Sequence, residues 1–296
     1  MNDEFSEWTL VAEISNDFDL GALLSELDAQ NISYRLHRTE PCVELWVEFS
    51  DQVPEALKIL EKIQEKQEKL QQNNTSFLGN QVLGNMSFQQ QLYRMPVIGI
   101  LLALSLLGTA LVEWALPLIH WFTFQDFILI GNIPRFDTAP NAMSNGEYWR
   151  LVTPIFLHFG LFHIAFNALW TWELGRRIEP FAGSFHTLVI VLLMAVSSNL
   201  GQYLWGGPSL FGGMSGVVYG LLGYVWIRHK VSPRPQLAIP PGLLGFMLFW
   251  LLLGMSGIID LLMSGSIANA AHAVGLVTGM ILGGWAGYSE PKAPAP

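Results

Sequence analysis

The run Met214–Ile227 is apolar, fourteen residues long, and closed at its C-terminal end by Arg228-His229-Lys230. As a helix rising about 1.5 Å per residue it spans roughly 20 Å, whereas the hydrocarbon core of a bilayer is about 30 Å thick. With the basic end pinned at one membrane surface, Ser215 lies about 10 Å below the other. A helix that begins inside the membrane leaves backbone N–H groups unpaired, and these need protein or water around them. The serine at that start is set among glycines, in Phe211-Gly212-Gly213-Met214-Ser215-Gly216. A hydroxyl at a buried, watered helix N-terminus is the place to look for chemistry.

Such a helix requires a membrane protein around it, and the composition agrees: 51% hydrophobic residues, 13% charged, and eleven tryptophans in 296 residues. Six apolar segments are expected to span, at Met95–Ile119, Thr153–Gly175, Thr187–Leu204, Met214–Ile227, Pro241–Leu262 and Ala268–Tyr288. The N-terminus Met1-Asn2-Asp3-Glu4 is acidic and lacks an apolar stretch, so the first span is expected to serve as the targeting signal. Threading six spans in order puts Arg94, Arg176, Arg177, Arg228, Lys230, Arg234 and Lys292 on one side and only Arg135 and Arg150 on the other. Both termini are then cytoplasmic. The long loop between the first two spans, with Trp121, Phe124, Phe127, Ile128 and Trp149, is expected at the lipid interface.

Ahead of the spans, residues 1–70 read as a small α+β domain. Trp8–Ile14 alternates like a strand, Leu20–Leu27 has helical spacing, Ile32–His37 and Cys42–Phe49 again read as strands, and Pro54–Leu70 as a helix. Residues 71–92, rich in Gln, Asn and Gly, read as a flexible linker, residues 93–290 as the membrane domain, and 291–296 as a short tail. Residues 1–94 hold 16 acidic against 7 basic residues and so account for the whole net charge of −9. An acidic head on a membrane body argues against nucleic acid as a partner. The one cysteine, Cys42, excludes an internal disulfide and a multi-cysteine metal cluster, and neither metal nor cofactor is expected.

The threading also sets depths. Spans two, four and six run the same way, with His163 thirteen residues before Arg176, Ser215 thirteen before Arg228, and His272 sixteen before Tyr288. All three polar groups are therefore expected at one level, roughly 20–24 Å above the cytoplasmic surface. Ionisable groups at that depth usually face the protein interior and mark function. His163 and Asn167 share a helix face, as do Ser215 and Tyr219, while His272, Gly275 and Gly279 line one stripe of span six. Those glycines allow close backbone approach and would bring the imidazole to the serine. A serine needs a base within reach to become a nucleophile, and His272 can act as one. An oxyanion needs donors already aimed at it, which His163, Asn167 and the N–H groups opening span four could supply. With no carboxylate at this depth near His272, a Ser–His dyad is expected. Each piece alone is weak: small residues fill helix contacts, a lone intramembrane histidine can relay protons, and the Gly275–Gly279 pair is a packing device. His158 and His163 as a metal pair are disfavoured because i, i+5 residues lie on different faces of a helix. Their shared depth is what raises the catalytic reading.

Trp149-Arg150, His163-x-x-x-Asn167, Gly213-Met214-Ser215-Gly216 and Ala271-His272-x-x-Gly275-x-x-x-Gly279 together resemble the rhomboid intramembrane serine proteases. The likeness is to the bacterial type, with a six-helix core and a small cytoplasmic N-terminal domain. It implies an all-α six-helix rhomboid bundle in the bacterial inner membrane, with an α+β domain at residues 1–70. It implies Ser215 as nucleophile, His272 as general base and acid, and His163, Asn167 and the Ser215 N–H as oxyanion donors. Tyr219 would pack under the His272 ring. Trp149 and Arg150 in the first loop and Glu179 near the inner end of span two would be structural. The substrates implied are single-span proteins in the lipid bilayer, cut near small, helix-breaking residues. A helix in lipid has its carbonyls hydrogen-bonded, so local unwinding must come first. Span five, with Gly254, Gly257 and Asp260 near its outer end, is the candidate lateral gate. A second copy, joined through the N-terminal domain, is admitted as a partner. Two rivals remain: a transporter, weakened by the lack of an inverted repeat, and a catalytically silent client-binding relative, which would be expected to lack the serine or the histidine.

Overall fold

The structure, a computed structural model of the chain, describes residues 8–15, 18–39, 42–67, 86–114, 116–131, 133–258 and 267–290. Contacts divide it into two compact units, Met1–Leu78 and Gly79–Pro296. In the first unit, strand β1 (Thr9–Ser15), helix α1 (Leu20–Ala29), strands β2 (Tyr34–Thr39) and β3 (Cys42–Val47), and helix α2 over residues 53–67 follow in the anticipated order. The strands form one antiparallel sheet in the order β1-β3-β2. On β3 the period-2 pattern buries Val43, Leu45 and Val47, and Leu45 and Val47 join Leu23 and Leu27 of α1 and Ala56 and Ile59 of α2 in the core. Asp19 opens α1 by accepting the Gly21 N–H at 3.0 Å, and Asn31, at φ 56°, follows its last turn in the left-handed region.

The expected linker ends sooner than its composition implied. Residues 71–85 lie outside the described residues, but Phe88–Arg94 form helix α3. Its start is a capping box, with Ser87 Oγ accepting the Gln90 N–H at 3.3 Å and Gln90 Oε1 accepting the Ser87 N–H at 2.9 Å.

The second unit contains helices α4 (Pro96–Trp114), α6 (Leu161–Ala182), α7 (Ser184–Gly206), α8 (Ser215–Val231), α9 (Pro241–Met255) and α10 (Asn269–Ser289), with a short α5 (Ala139–Ser144) between α4 and α6. Among the described residues four stretches are long and apolar enough to cross a membrane: Pro96–Trp114, Ser184–Gly206, Pro235–Met255 and Asn269–Ser289. The other two helices differ for clear reasons. α6 carries Glu173, Arg176, Arg177 and Glu179 in its C-terminal half, and α8 has only 17 residues. The second segment does not begin as a helix at Thr153. Thr153–Phe156 is a 3-10 turn, and α6 starts only at Leu161, after Gly160 at φ 112°. α9 ends at Met255, short of the expected Leu262, and Asp260 lies outside the described residues, as does the tail at 291–296.

α8 is the axis of this unit. Every residue from Gly216 to Val225 is buried, although its apolar residues show no sidedness of their own. α10 lies against it backbone to backbone, since a Cβ at Gly275, Gly279 or Gly283 would collide with the carbonyls of Gly216, Gly220 and Tyr224. On another side, Ser198 and Met194 of α7 press on Gly216 and Gly220. Glu179, 1% exposed, fastens α6 to α4: its carboxylate accepts the N–H groups of Val97 and Ile98, both at 2.9 Å, at the unpaired start of α4.

Between α4 and α6 the chain makes an antiparallel hairpin, β4 (Phe127–Ile130) and β5 (Ile133–Phe136). A knot around Arg150, 0% exposed, holds the loop. The guanidinium donates to Glu147 Oε2 at 2.5 Å, to the Thr123 carbonyl at 3.0 Å and to the His120 carbonyl, with Asp126 Oδ2 at 3.9 Å. Beside it, the Trp149 indole donates to the Trp121 carbonyl at 2.9 Å.

Candidate active site

Three helices of this unit begin beside one another, and each carries a polar side chain in its first turn: His163 in α6, Ser215 in α8 and His272 in α10. First turns have unpaired N–H groups and the positive end of the helix dipole, so this junction favours developing negative charge. Ser215 Oγ stands 2.7 Å from His272 Nε2. With a neutral imidazole protonated at Nδ1, the hydroxyl donates to Nε2, the arrangement a base needs to take its proton. Among the described residues no carboxylate is hydrogen-bonded to His272.

The histidine is held from two directions. The ring of Tyr219, one turn after Ser215, lies against it with centroids 5.0 Å apart and an interplanar angle of 39°. The Tyr219 hydroxyl donates to the Met247 carbonyl of α9 at 3.2 Å, which fixes the phenol. From the other side Gln202 Oε1 of α7 accepts the Ala271 N–H at 3.1 Å, satisfying one open donor at the start of α10 just before His272.

His163 and Asn167 face the loop that leads into Ser215. A methyl group placed on Gly213 would stand 2.6 Å from His163 Nε2 and 3.8 Å from Asn167 Nδ2, so both side chains converge on that backbone. Gly213 also has φ 114°, which side-chain-bearing residues rarely adopt. Asn167 Nδ2 donates to the His163 carbonyl at 3.0 Å, which orients the amide, and His163 Nδ1 accepts the Phe159 N–H at 3.4 Å. The site therefore brings together Ser215, His272, His163, Asn167, Tyr219, Gly213 and Gly216. Gly275 and Gly279 lie below it in the α8–α10 contact, Trp149 and Arg150 in the loop knot, and Glu179 at the far end of α6.

Sequence reasoning weighed His158 only as a metal partner of His163 and missed its part in holding the loop before Ser215. His158 is fully buried; its Nε2 accepts the Met214 N–H at 3.2 Å, so its Nδ1–H donates to the Phe156 carbonyl at 3.0 Å. With the Gly213 N–H donating to the Pro154 carbonyl at 3.0 Å, this bond pins the two residues before Ser215. The i, i+5 argument separating His158 from His163 fails because His158 precedes the helix. The rings meet edge to face, 5.0 Å apart. Backbone bonds occupy both nitrogens of His158 and Nδ1 of His163, and among the described residues no group of three His, Cys, Asp or Glu side chains could hold a metal ion. The only sequence hint was Pro154 and Gly160, which delay the helix.

Residues 145–289 match the family model of the rhomboid domain. The chain is 45% identical over 146 residues to the rhomboid protease GlpG of Photorhabdus laumondii, an alignment covering 49% of this chain and 50% of that protein. It is 43% identical over 145 residues to the rhomboid proteases GlpG of Yersinia pestis and Yersinia pseudotuberculosis, again covering 49% and 50%. The chain thus spans about half the length of the curated relatives it matches. Residues 145–289 thus carry the likeness to the rhomboid domain and to rhomboid proteases of the GlpG type.

Proposed function

We propose that the protein is an intramembrane serine endopeptidase that cleaves transmembrane segments of other proteins with a Ser215–His272 dyad. The observation that carries this is the 2.7 Å contact of Ser215 Oγ with His272 Nε2 at the junction of three helix N-termini. Ser215 attacks the scissile carbonyl while His272 takes its proton and later returns it to the leaving amine. His163, Asn167 and the Ser215 N–H receive the oxyanion. Water completes the cycle by hydrolysing the acyl-enzyme, with His272 again as base.

In this reading six helices, α4 and α6–α10, span a bacterial inner membrane with both termini cytoplasmic, and the basic residues Arg94, Arg176, Arg177, Arg228, Lys230 and Arg234 fall on the cytoplasmic side. α6 and α8 are admitted because the other four helices shield their charged or short segments. Residues 1–70 form the cytoplasmic domain, through which a second copy would associate. α9 is the mobile wall: it meets α6 through exposed aromatic contacts such as Phe166–Trp250, and Gly257 at φ 76° follows its end. Cross-linking α9 to α6 should then slow cleavage of membrane substrates.

The direct test of the nucleophile is a serine-directed fluorophosphonate applied to purified protein. It should phosphonylate wild type at Ser215, fail on Ser215→Ala, and react at least about 100-fold more slowly with His272→Ala. Equal labelling of all three would dismiss the dyad and favour a client-binding or transport role.

A further inference from the structure

α9 is buried along one narrow stripe. Met247, Leu251 and Gly254 are its buried residues, spaced i, i+4 and i+7 on one helix face. Phe246, Phe249, Trp250, Leu252 and Met255 are exposed on the rest of its surface. In lipid no hydrophobic force favours a neighbouring helix over acyl chains, so polar contacts matter to how such a wall is held. Two side-chain hydrogen bonds end on carbonyls of the buried stripe. One is that of Tyr219, whose hydroxyl donates to Met247 while its ring lies against His272. The other comes from Asn269, the first residue of α10, whose Nδ2 donates to the Gly254 carbonyl at 2.9 Å. Asn269 stands one turn before His272 on the same face of α10. The base is therefore bracketed, with Tyr219 at its ring and Asn269 on the turn that carries it, and both brackets are fastened to α9.

The Asn269 contact is specific. Gly254 lies in the last turn of α9, where carbonyls lack their regular donors, and the Ile258 N–H four residues on turns instead to Ser256 Oγ at 3.3 Å. Only the nitrogen of an amide side chain can meet that carbonyl, because the oxygen has no proton to give. The lack of a side chain at Gly254 lets the carboxamide lie against the backbone, since a Cβ there would stand 3.1 Å from Asn269 Oδ1. That Oδ1 is buried and has no hydrogen-bond partner among the described residues. The donor side alone, through its bond to α9, orients the amide.

We propose that Asn269 is a positioning residue for His272 that acts through α9. With α9 docked, Asn269 and Tyr219 both find their acceptors, and the imidazole is held at Ser215. When α9 swings out to admit a transmembrane segment, both bonds are lost and the base loosens. Acyl transfer therefore waits until α9 returns over the bound segment, which couples entry of the substrate to the chemistry. The inference rests on the Ser215–His272 dyad and on α9 as the mobile wall.

The test uses the full chain in liposomes, at a temperature where melting curves show every variant folded. It reads cleavage of a single-span substrate and, separately, phosphonylation by a small fluorophosphonate, which brings no helix into the site. Asn269→Ala should lower kcat about 10-fold with KM within about twofold, and slow phosphonylation of Ser215 by the same factor. Asn269→Gln, which keeps an amide donor, should recover to within about threefold of wild type. Gly254→Val pushes the amide away with Asn269 still in place and should reproduce the loss. Adding Asn269→Ala to it should cost little more, since both changes remove one contact. Phosphonylation of Asn269→Ala at the wild-type rate would overturn the inference. Faster cleavage of the membrane substrate by that variant would also overturn it, leaving Asn269 as a latch on the gate alone. Failure of wild type to react at Ser215 would instead strike the dyad, and this inference with it.

Discussion

Ser215 owes its position to the residues just before it, because two backbone bonds and one forbidden conformation decide where α8 begins. His158 accepts the Met214 N–H, Pro154 accepts the Gly213 N–H, and Gly213 takes φ 114°. His158→Leu keeps much of the volume but leaves the Met214 donor without a partner in a buried site, a loss of about 1–3 kcal/mol. We expect a lower melting temperature and a roughly 10-fold or larger fall in kcat, with KM little changed, because the loop that presents the proposed oxyanion donors loosens. An unchanged kcat would show that this bond does not position the loop. His158 also marks where a reading of the sequence stops. Depth counting placed His163, Ser215 and His272 together because each lies a similar number of residues from a basic or polar end. It assumed a helix from Thr153 onward, and an i, i+5 pair on a helix points two ways. The turn at Thr153–Phe156 is a matter of backbone hydrogen bonding, which apolar periodicity does not report.

At the scale of elements, the α8–α10 contact sets the distance between the two catalytic groups proposed above. Gly275 and Gly279 were legible as a close-packing stripe, and the structure extends that stripe to Gly283 and supplies the complementary glycines Gly216 and Gly220 on α8. A run that is apolar all round offers no moment to reveal such a partner face, so the pairing of α8 with α7 could not be read from its periodicity. Gly279→Val would drive two methyl groups into the Gly220 carbonyl. The helices must part, with a stability loss of about 1–3 kcal/mol or more and loss of most activity. Gly284→Ala is the control, since its added methyl meets only Ile227 Cγ2, at 3.5 Å. It should keep wild-type activity within about twofold, given the small effect of substitutions that meet only ordinary contacts. Equal damage from both variants would mean the close contact is not what holds the dyad. The capping box at Ser87–Gln90 is the converse case, a local signal overlooked because its surroundings are rich in Gln and Asn.

For the molecule as a whole, the two ends of the membrane unit are built from different interactions. One end gathers three helix starts around a serine and a histidine. At the other, Glu290 just beyond α10 pairs with the buried Arg228 of α8 and, at 2.9 Å, with Arg234. The hydrogen bond from Arg228, helped by Arg234, holds the Glu290 carboxyl below its usual value of 4.5, against a smaller opposing effect of burial. A carboxyl depressed in the folded state contributes stability that is present above pH 4.5 and lost as pH falls through the lower folded value. Melting temperature should therefore drop on acidification below that point, and Glu290→Gln should lower it at neutral pH and flatten the acid limb. A variant with the wild-type profile would remove Glu290 from the account. The α+β unit before residue 79 was largely legible from alternation, because alternate residues of β3 are buried and Tyr34 and Leu36 of β2 pack on the same core. The central claim is that Ser215 and His272 cut transmembrane segments, and cleavage of a single-span substrate by purified protein in liposomes tests it most directly. Wild type should cut at a site near the outer leaflet, while Ser215→Ala and His272→Ala, equally well folded, should each fall by about 1,000-fold or more. Cleavage by all three proteins at similar rates would contradict it.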